Sequence, residues 1–416
     1  MKIVLIGGNF KNKGAEAMIL TALREFSRRW SNPEIVVASY ASRDTRPFGM
    51  HEVEVGGTTC RFRFIKNRKD FLTALQLLVC LIVWSKGLRK KLLSNNLYLS
   101  EVLSADMVVD ISGFAMTDKR PLHRRIVYCA EILTAQLLGI PFVIFTQALG
   151  PFKQFSTRIL AKLCLSRAKL VCARGTSTVD FLNDLGVGGK TRVIRCADSA
   201  YLFPVGSDNS GGELLRTITP DSRPIVGIVT NSNIVERTAL ADGTNAYIAL
   251  LAATVDRIVE RLGARVVFIC HELYEGRKDD RWVAEQVIAK SRHGVDVSLV
   301  TGDHTAAELK QAIAGVDFLI ASRFHALVAA NSLGVPSIAI AWAHKYHELF
   351  SEAGVPELVF DAEDLDPKSF FERLDKAWAR RSEISATLAG RHDALVDSAS
   401  SAFDAVAELL ALKQVA

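Results

Sequence analysis

The sequence predicts an α/β protein of two doubly wound, Rossmann-like domains facing a cleft. Three observations carry that expectation. The chain has 416 residues, more than one hydrophobic core usually organises. Short apolar runs alternate with amphipathic stretches, the pattern of a parallel sheet with crossover helices. A Gly-, Ser-, Asp- and Pro-rich stretch, "VGSDNSGGELLRTITPDSRP", then divides the alternation in two. The expected organisation is a first domain over 1–205, a linker over 206–223, a second domain over 224–395 and a C-terminal helix over 396–416.

In the first half the strands are expected at Ile3–Ile6, Ile35–Ser39, Met107–Ile111, Phe142–Thr146 and Leu170–Ala173. The second half repeats the pattern at Ile225–Thr230, Val266–Cys270, Val297–Val300, Phe318–Ala321 and Ser337–Ala341. The opening "MKIVLIGG" breaks at Gly7, too soon for a signal peptide, and reads as the first strand. Ser398 to Val415 reads as helix.

One stretch departs from the alternation. The apolar run Phe71 to Trp84 is flanked by basic residues between Lys66 and Lys91, and it carries Thr73 and Gln76. It falls short of the roughly 20 apolar residues that span a bilayer. A buried helix with solvated basic ends is one reading, and peripheral membrane contact through 66–91 on an anionic leaflet is the other.

Composition narrows the function classes. Hydrophobic residues make up 49% of the chain, as in a well-buried globular protein. The 51 basic residues exceed the 45 acidic ones only mildly, giving a net charge of +6 and a sequence pI near 8.9. That balance suits anionic substrates or an anionic membrane surface and gives no footprint for nucleic acid. The seven cysteines form neither a C-x-x-C pair nor zinc-ligand spacing, so reduced thiols in a cytosolic protein are expected.

The densest chemistry lies in "IASRFHALVAANSLGVPSIAI", Ile320 to Ile340. Ser322 is the expected N-cap of a helix that Gly334 and Pro336 end, which makes Arg323 its first residue and His325 its third. Unpaired amides and the helix dipole already make that terminus positive, so two further cations there oppose the usual preference. An anion bound at the terminus resolves the mismatch. The plainer reading pairs Arg323 with a nearby carboxylate and makes His325 a core histidine. The position at the carboxyl end of a strand, where open α/β sheets bind ligands, favours the anion site.

Other candidates lie at equivalent strand ends. "GGNFKNKGAEAM" offers Asn12, Gly14 and Glu16 where a helix opens, with glycines that let a backbone approach a ligand. Glu16 also complements the helix dipole. "VDISGFAMTDKRP" puts Ser112, Gly113 and Asp118 after the third strand, in a binding loop or a tight turn. Gln147 stands at the end of the fourth strand, and Arg174 follows the fifth as Arg323 follows its own. His271 precedes Glu272, Asp279 and Asp280, acids suited to capping a helix. Asp364 and Asp366 have a metal-compatible spacing, but Asp366 before Pro367 reads as an N-cap, and no metal is expected.

With these motifs the chain resembles the polysaccharide pyruvyltransferases. The resemblance rests on "NKGAEA", "TQALGPF", "ARGTSTVDFLNDLGV", "ADSAYLF" and "ASRFHALVAANSLGVPSIAIAWAHKYHELFSEAGV", from Met1 to about Val355. It implies a GT-B-like fold, no cofactor, and phosphoenolpyruvate as donor to a sugar or lipid-linked oligosaccharide acceptor. Arg323 and His325 match the family's arginine and active-site histidine, Arg174 its anion-binding arginine and Lys345 its downstream lysine. Ala15 stands where the family often has an acid, and Ile111 to Phe114 where it has a run of glycines. Both departures bear on the acceptor, whose identity the sequence leaves open along with the oligomeric state.

Phosphoenolpyruvate carries two anionic groups on a small body. A helix terminus supplies only ~0.3–1 kcal/mol, whereas micromolar affinity needs roughly 8, so Arg323, Arg174 and Lys345 are expected to converge. Ser322, Asn12, Gly14, Glu16, Gln147 and His271 complete the expected substrate contacts. The helix terminus should lower the pKa of His325 and a bound phosphate should raise it, which suits a general acid. The competing readings are a GT-B glycosyltransferase using a nucleotide sugar and a non-catalytic binding protein with the same fold. The expected location is the cytoplasm, at the inner face of the membrane if the stretch 66–91 makes peripheral contact.

Overall fold

The computed structural model describes residues 1–39, 46–66, 91, 93, 96–206, 210–218, 221–238, 245–274, 276 and 278–415. The chain divides into two compact units. The first comprises Met1–Lys11, Ala15–Phe203 and Asp397–Ala416, the second Asn12–Gly14 and Pro204–Val396.

The first unit contains β1 (Lys2–Ile6), α1 (Lys13–Arg29), β2 (Glu34–Ser39), β3 (Gly49–Val55), β4 (Thr58–Lys66), α2 (Leu97–Leu103), β5 (Met107–Asp110), α3 (Leu122–Leu137), β6 (Phe142–Gln147), α4 (Phe155–Leu165), β7 (Leu170–Arg174), α5 (Thr176–Leu185) and β8 (Arg192–Cys196). Its strands order as β3-β4-β2-β1-β5-β6-β7-β8. Among the described residues only β3 and β4 pair antiparallel, as a hairpin at the edge. The inner strands β1, β2, β5 and β6 are nearly unbroken apolar runs, as strands covered on both faces must be. The hairpin is different: Glu52, Glu54, Arg61 and Arg63 alternate with apolar residues, and Arg63 donates to Glu101. That charge pattern, together with arginines in β8, hid these edge strands from a reading based on continuous apolar runs.

The second unit contains α6 (Ser210–Ile218), β9 (Ile225–Val229), α7 (Ala246–Arg257), β10 (Arg265–Ile269), α8 (Asp280–Lys290), β11 (Val297–Val300), α9 (Ala306–Ala314), β12 (Phe318–Ala321), α10 (Phe324–Ser332), β13 (Ser337–Ala341), α11 (Lys345–Glu352), β14 (Val359–Asp361), α12 (Pro367–Ala379) and α13 (Arg381–Val415). Its sheet orders as β11-β10-β9-β12-β13-β14, parallel throughout. The expected linker instead carries α6. Leu215 is buried, and the amide of Gly211 donates to Gln311 of α9 at 2.7 Å, so this stretch belongs to the second unit. Asp366 caps α12 by accepting from the Ser369 amide at 2.8 Å, as its place before Pro367 implied.

The closing helix is longer than expected. It starts at Arg381 in the second unit, and its last part completes the core of the first. There the Phe403 ring packs on Phe145 at 4.7 Å and Phe26 at 5.4 Å, while Arg29 donates to Asp404. The basic-flanked run Phe71–Trp84 lies outside the described residues. Among those described, no helix is long and apolar enough to cross a membrane. Cys60, Cys129, Cys164, Cys172, Cys196 and Cys270 are buried free thiols.

Candidate active site

Each sheet reverses its strand order once, between β1 and β5 in the first unit and between β9 and β12 in the second. Crossovers leave such a point in opposite directions, so the strand ends part and a crevice opens at their carboxyl edge. The candidate residues follow these edges.

In the second unit, the Ser322 amide continues β12 by donating to the Val229 carbonyl at 2.8 Å. Its hydroxyl accepts from Tyr247 at 2.8 Å, and its carbonyl accepts from Tyr346 at 2.8 Å and Asn231 at 2.9 Å. Ser322 is therefore not the N-cap. Arg323 takes that position with extended dihedrals, φ −101° and ψ 121°, and its side chain makes no capping bond. The helix begins one residue later than expected, with His325 as its second residue, because scaffold tyrosines engage both oxygens of Ser322.

The Arg323 guanidinium is clamped by acids. Its Nε donates to both Asp280 oxygens at 3.0 and 3.2 Å, one terminal nitrogen donates to Asp280 again, and the other to Glu272. Asp280 is fully buried and also accepts the Glu272 amide at 3.0 Å. Burial raises its pKa to about 6, although Arg323 pulls the other way. Burial likewise works against the Arg323 charge, but the two carboxylates outweigh it and hold its pKa above the ordinary value. Glu272 stays below the ordinary carboxylate range: burial opposes its charge, but Arg323, Tyr274 and Asn12 more than offset it. The plainer reading of Arg323, as the partner of nearby carboxylates, is what the structure contains. Asp279 caps α8 by accepting from the Trp282 amide at 2.9 Å, while Asp280 points back to the arginine.

His271 follows β10. Burial lowers its pKa to about 3, helped by the positive charge of Arg323, His325 and Lys13, so the imidazole is neutral. Its Nε2 has no hydrogen-bond partner among the described residues. The Lys13 amide approaches the His271 carbonyl at 3.4 Å. Gly14 makes room for the second imidazole: a Cβ there would stand 2.1 Å from Nδ1 of His325. The glycine was expected to admit a ligand to the backbone; it admits the His325 ring. Lys345 opens α11 after β13, buried, with its ammonium 4.7 Å from the Phe324 ring centroid, 5.2 Å from Trp342 and 5.7 Å from Tyr346. Ring faces attract a cation electrostatically and fix where its charge sits.

The second unit thus gathers Asn12, Gly14, His271, Ser322, Arg323, His325 and Lys345, while Arg174, Gln147 and Glu16 belong to the first. Arg174 ends β7 with its guanidinium donating to Asp198 and to the Gly113 carbonyl, the latter at 2.9 Å. Gln147 is fully buried, donates to the Asp110 carbonyl at 2.9 Å and stands 3.2 Å from the Tyr128 hydroxyl. Glu16 is buried in the first turn of α1. Asp118 accepts the Lys153 amide at 2.6 Å ahead of α4.

Sequence reasoning passed over Asp110. It ends β5 at the first unit's reversal point, fully buried, and accepts the Ser112 amide at 2.9 Å and the hydroxyls of Ser112 and Tyr128. Burial raises its pKa despite those bonds. Gly7 lies against the same turn with φ +86°, and a Cβ on it would stand 2.0 Å from the Ser112 hydroxyl. The available signal was an acid closing an apolar strand in "MVVD". Tyr247 and Asp280 carried no such signal, because each reaches the site from a distant helix.

With this geometry in hand, the comparison with known families is decisive. The family model for polysaccharide pyruvyl transferases matches residues 12–344. The chain belongs to that family. The match includes every expected catalytic or substrate-binding residue except Lys345, which follows it directly. Among curated proteins, the amylovoran biosynthesis protein AmsJ of Erwinia amylovora is 22% identical over 273 residues, spanning 62% of each chain. Among solved structures, the UDP-GlcNAc 2-epimerase of Neisseria meningitidis superposes with a TM-score of 0.59 at 9% identity, covering 98% of this chain and 100% of that one. Anabaena Alr3699/HepE, solved with UDP and glucose, gives 0.55 at 14% identity with 99% of both chains covered. A ugt transferase from Siraitia grosvenorii, solved with UDP, gives 0.56 at 12% with 98% and 99% covered. These likenesses establish a GT-B-like fold with two parallel α/β sheets and nothing about ligands.

Proposed function

We propose that this pyruvyl transferase moves the pyruvyl group of phosphoenolpyruvate onto two hydroxyls of one sugar, in a polysaccharide or its lipid-linked precursor. The observation that carries the reading is the family match over residues 12–344, which includes both imidazoles of the strand-end cluster. In the first step a sugar hydroxyl adds to the enol carbon, the methylene carbon takes a proton and the hydroxyl loses one. A second hydroxyl then displaces phosphate from the same carbon and loses its proton, which closes the cyclic ketal.

His325 is the proton donor to the methylene carbon, held by Gly14 on one side and the Phe324 ring on the other. His271, kept neutral, offers its Nε2 as a hydrogen-bonding group for donor or acceptor. The donor's negative charge is met by Lys345 and the first turn of α10. Arg323, neutralised by Asp280 and Glu272, positions the strand end and biases the imidazoles instead of binding the donor. Arg174 orders the Gly113 turn in the same indirect way. The reaction runs on the cytoplasmic side of the membrane and needs no metal.

Calorimetric titration with phosphoenolpyruvate in chelator, followed by phosphate release with candidate acceptors, tests the reading. Saturable binding and acceptor-dependent phosphate release are expected. Binding of a nucleoside diphosphate sugar with none of phosphoenolpyruvate would replace it with a glycosyltransferase.

A further inference from the structure

The helices α3 and α4 of the first unit join successive parallel strands β5, β6 and β7, so right-handed crossovers put both on one face of the sheet. They pack side by side: Gln136 donates to the Cys164 carbonyl at 3.0 Å and Arg125 to Gln154 at 2.9 Å. Their inner sides bury Tyr128, Cys129, Ile132, Ala161, Cys164 and Leu165. The outer side of α4 exposes Phe155, Ile159 and Leu163, four residues apart, at 79%, 51% and 38%. Arg158 and Lys162 are exposed between them. On α3, Leu122 and Ile126 are exposed at 46% and 50% beside His123 and Arg124.

The charge of this layer is one-sided. From Lys119 to Lys169 nine lysines and arginines stand against one acid, Glu131, whereas the whole chain has 51 basic against 45 acidic residues. Neighbouring carboxylates offset two of the nine, Asp118 at 3.8 Å from Arg125 and Asp184 at 3.9 Å from Arg158, and the stretch stays basic by a wide margin. Lys162, set in this apolar row beside Arg158, makes a protein partner the poorer occupant, because protein interfaces deplete lysine from their cores. A bilayer accepts that arrangement. Apolar side chains enter the acyl boundary, while lysine and arginine stems lie along it with their charges at the headgroup phosphates.

We propose that the outer face of α3 and α4 docks this protein on an anionic lipid bilayer. The face belongs to first-unit helices and shares no residue with the strand-end cluster, and the proposal does not depend on the pyruvyl-transfer reading.

The test is flotation of the full chain with vesicles of phosphatidylcholine, with and without phosphatidylglycerol. The chain should float with the anionic vesicles, and salt should release part of it. The triple variant Phe155→Ser, Ile159→Ser, Leu163→Ser should lower partition by roughly tenfold or more. Lys153→Glu with Lys162→Glu should abolish the preference for anionic vesicles. Val295→Ser, at a side chain 96% exposed in the second unit, should change nothing. Circular dichroism of each variant separates loss of binding from loss of fold, and the charge variant stands as a second test if the triple variant misfolds. Three outcomes would overturn the proposal: no flotation of the parent chain, undiminished flotation of both variants, or a dimer in size exclusion that the triple variant dissolves.

Discussion

The two reversal points share a backbone plan and carry opposite chemistry. In the first unit the buried group at the strand end is Asp110, held by the Ser112 amide and by the hydroxyls of Ser112 and Tyr128. In the second it is Arg323, held by two carboxylates, with His271, His325 and Lys345 nearby. Burial raises the pKa of Asp110, and neutral donors are too weak to reverse it. Around Arg323 the ion pairs outweigh burial. The same crevice geometry therefore holds a buried carboxyl among neutral donors in one unit and a buried guanidinium between carboxylates in the other. Fold likeness to proteins solved with UDP could not have revealed that difference.

The largest expected effect would come from the imidazole that distinguishes the second reversal point. His325→Ala should cut phosphate release by ~10²–10⁴-fold, while calorimetric binding of phosphoenolpyruvate changes little. Near-normal turnover would remove His325 from the chemistry and leave the two reversal points equally inert.

Next comes the clamp. Arg323→Ala leaves Asp280 and Glu272 without their cation and should cost about 3–5 kcal/mol of stability, read from denaturant midpoints. A loss well under about 1 kcal/mol would mean that the acids find other partners. Gly14→Ala should follow, slowing turnover by roughly tenfold, because its Cβ displaces the His325 ring and a small misplacement is costly in catalysis. Unchanged turnover would mean that the ring need not stay where Gly14 lets it sit.

The pH response sharpens the comparison further. Asp280 is raised to about 6, so its contribution to stability is complete below its unfolded pKa near 4 and is lost as pH rises through 6. His271 is lowered to about 3, so its contribution is present above its unfolded pKa near 6.5 and is lost as pH falls toward 3. Between pH 4 and 6 the two slopes oppose each other. Relative to the parent, Asp280→Asn should therefore make stability fall more steeply toward acid, and His271→Phe should make it fall less. Each difference is bounded by roughly 1.4 kcal/mol per pH unit, the limit for one proton. Denaturant titrations at pH 4, 5 and 6 read both, and slopes of the opposite sign would refute the assignment.

How much of this was legible follows from the physics of each signal. Parallel strands buried on both faces announce themselves as apolar runs, so Phe318–Ala321 and Ser337–Ala341 fall where the sequence suggested. The β3–β4 hairpin alternates charge with apolar residues, and β14 has only three residues, so neither gave such a run. Arg323 and His325 stood out because cations at a helix start demand a counter-charge. The identity of that counter-charge was not local: Asp280 is 43 residues away and looked like a cap, while Tyr247, which takes the Ser322 hydroxyl that should have capped α10, is 75 away. Sequence spacing reports what an element needs, and tertiary structure decides who supplies it.

The last helix has a consequence for how the chain is made. Phe403 fills the space between Phe26 and Phe145, and Ala399, Ala402 and Val406 are fully buried beside it. During synthesis, residues 204–396 have all emerged before the ribosome delivers this plug. The core of the first unit therefore closes only after the whole of the second unit has been made, and until then it waits unfilled, exposed to chaperones and proteases.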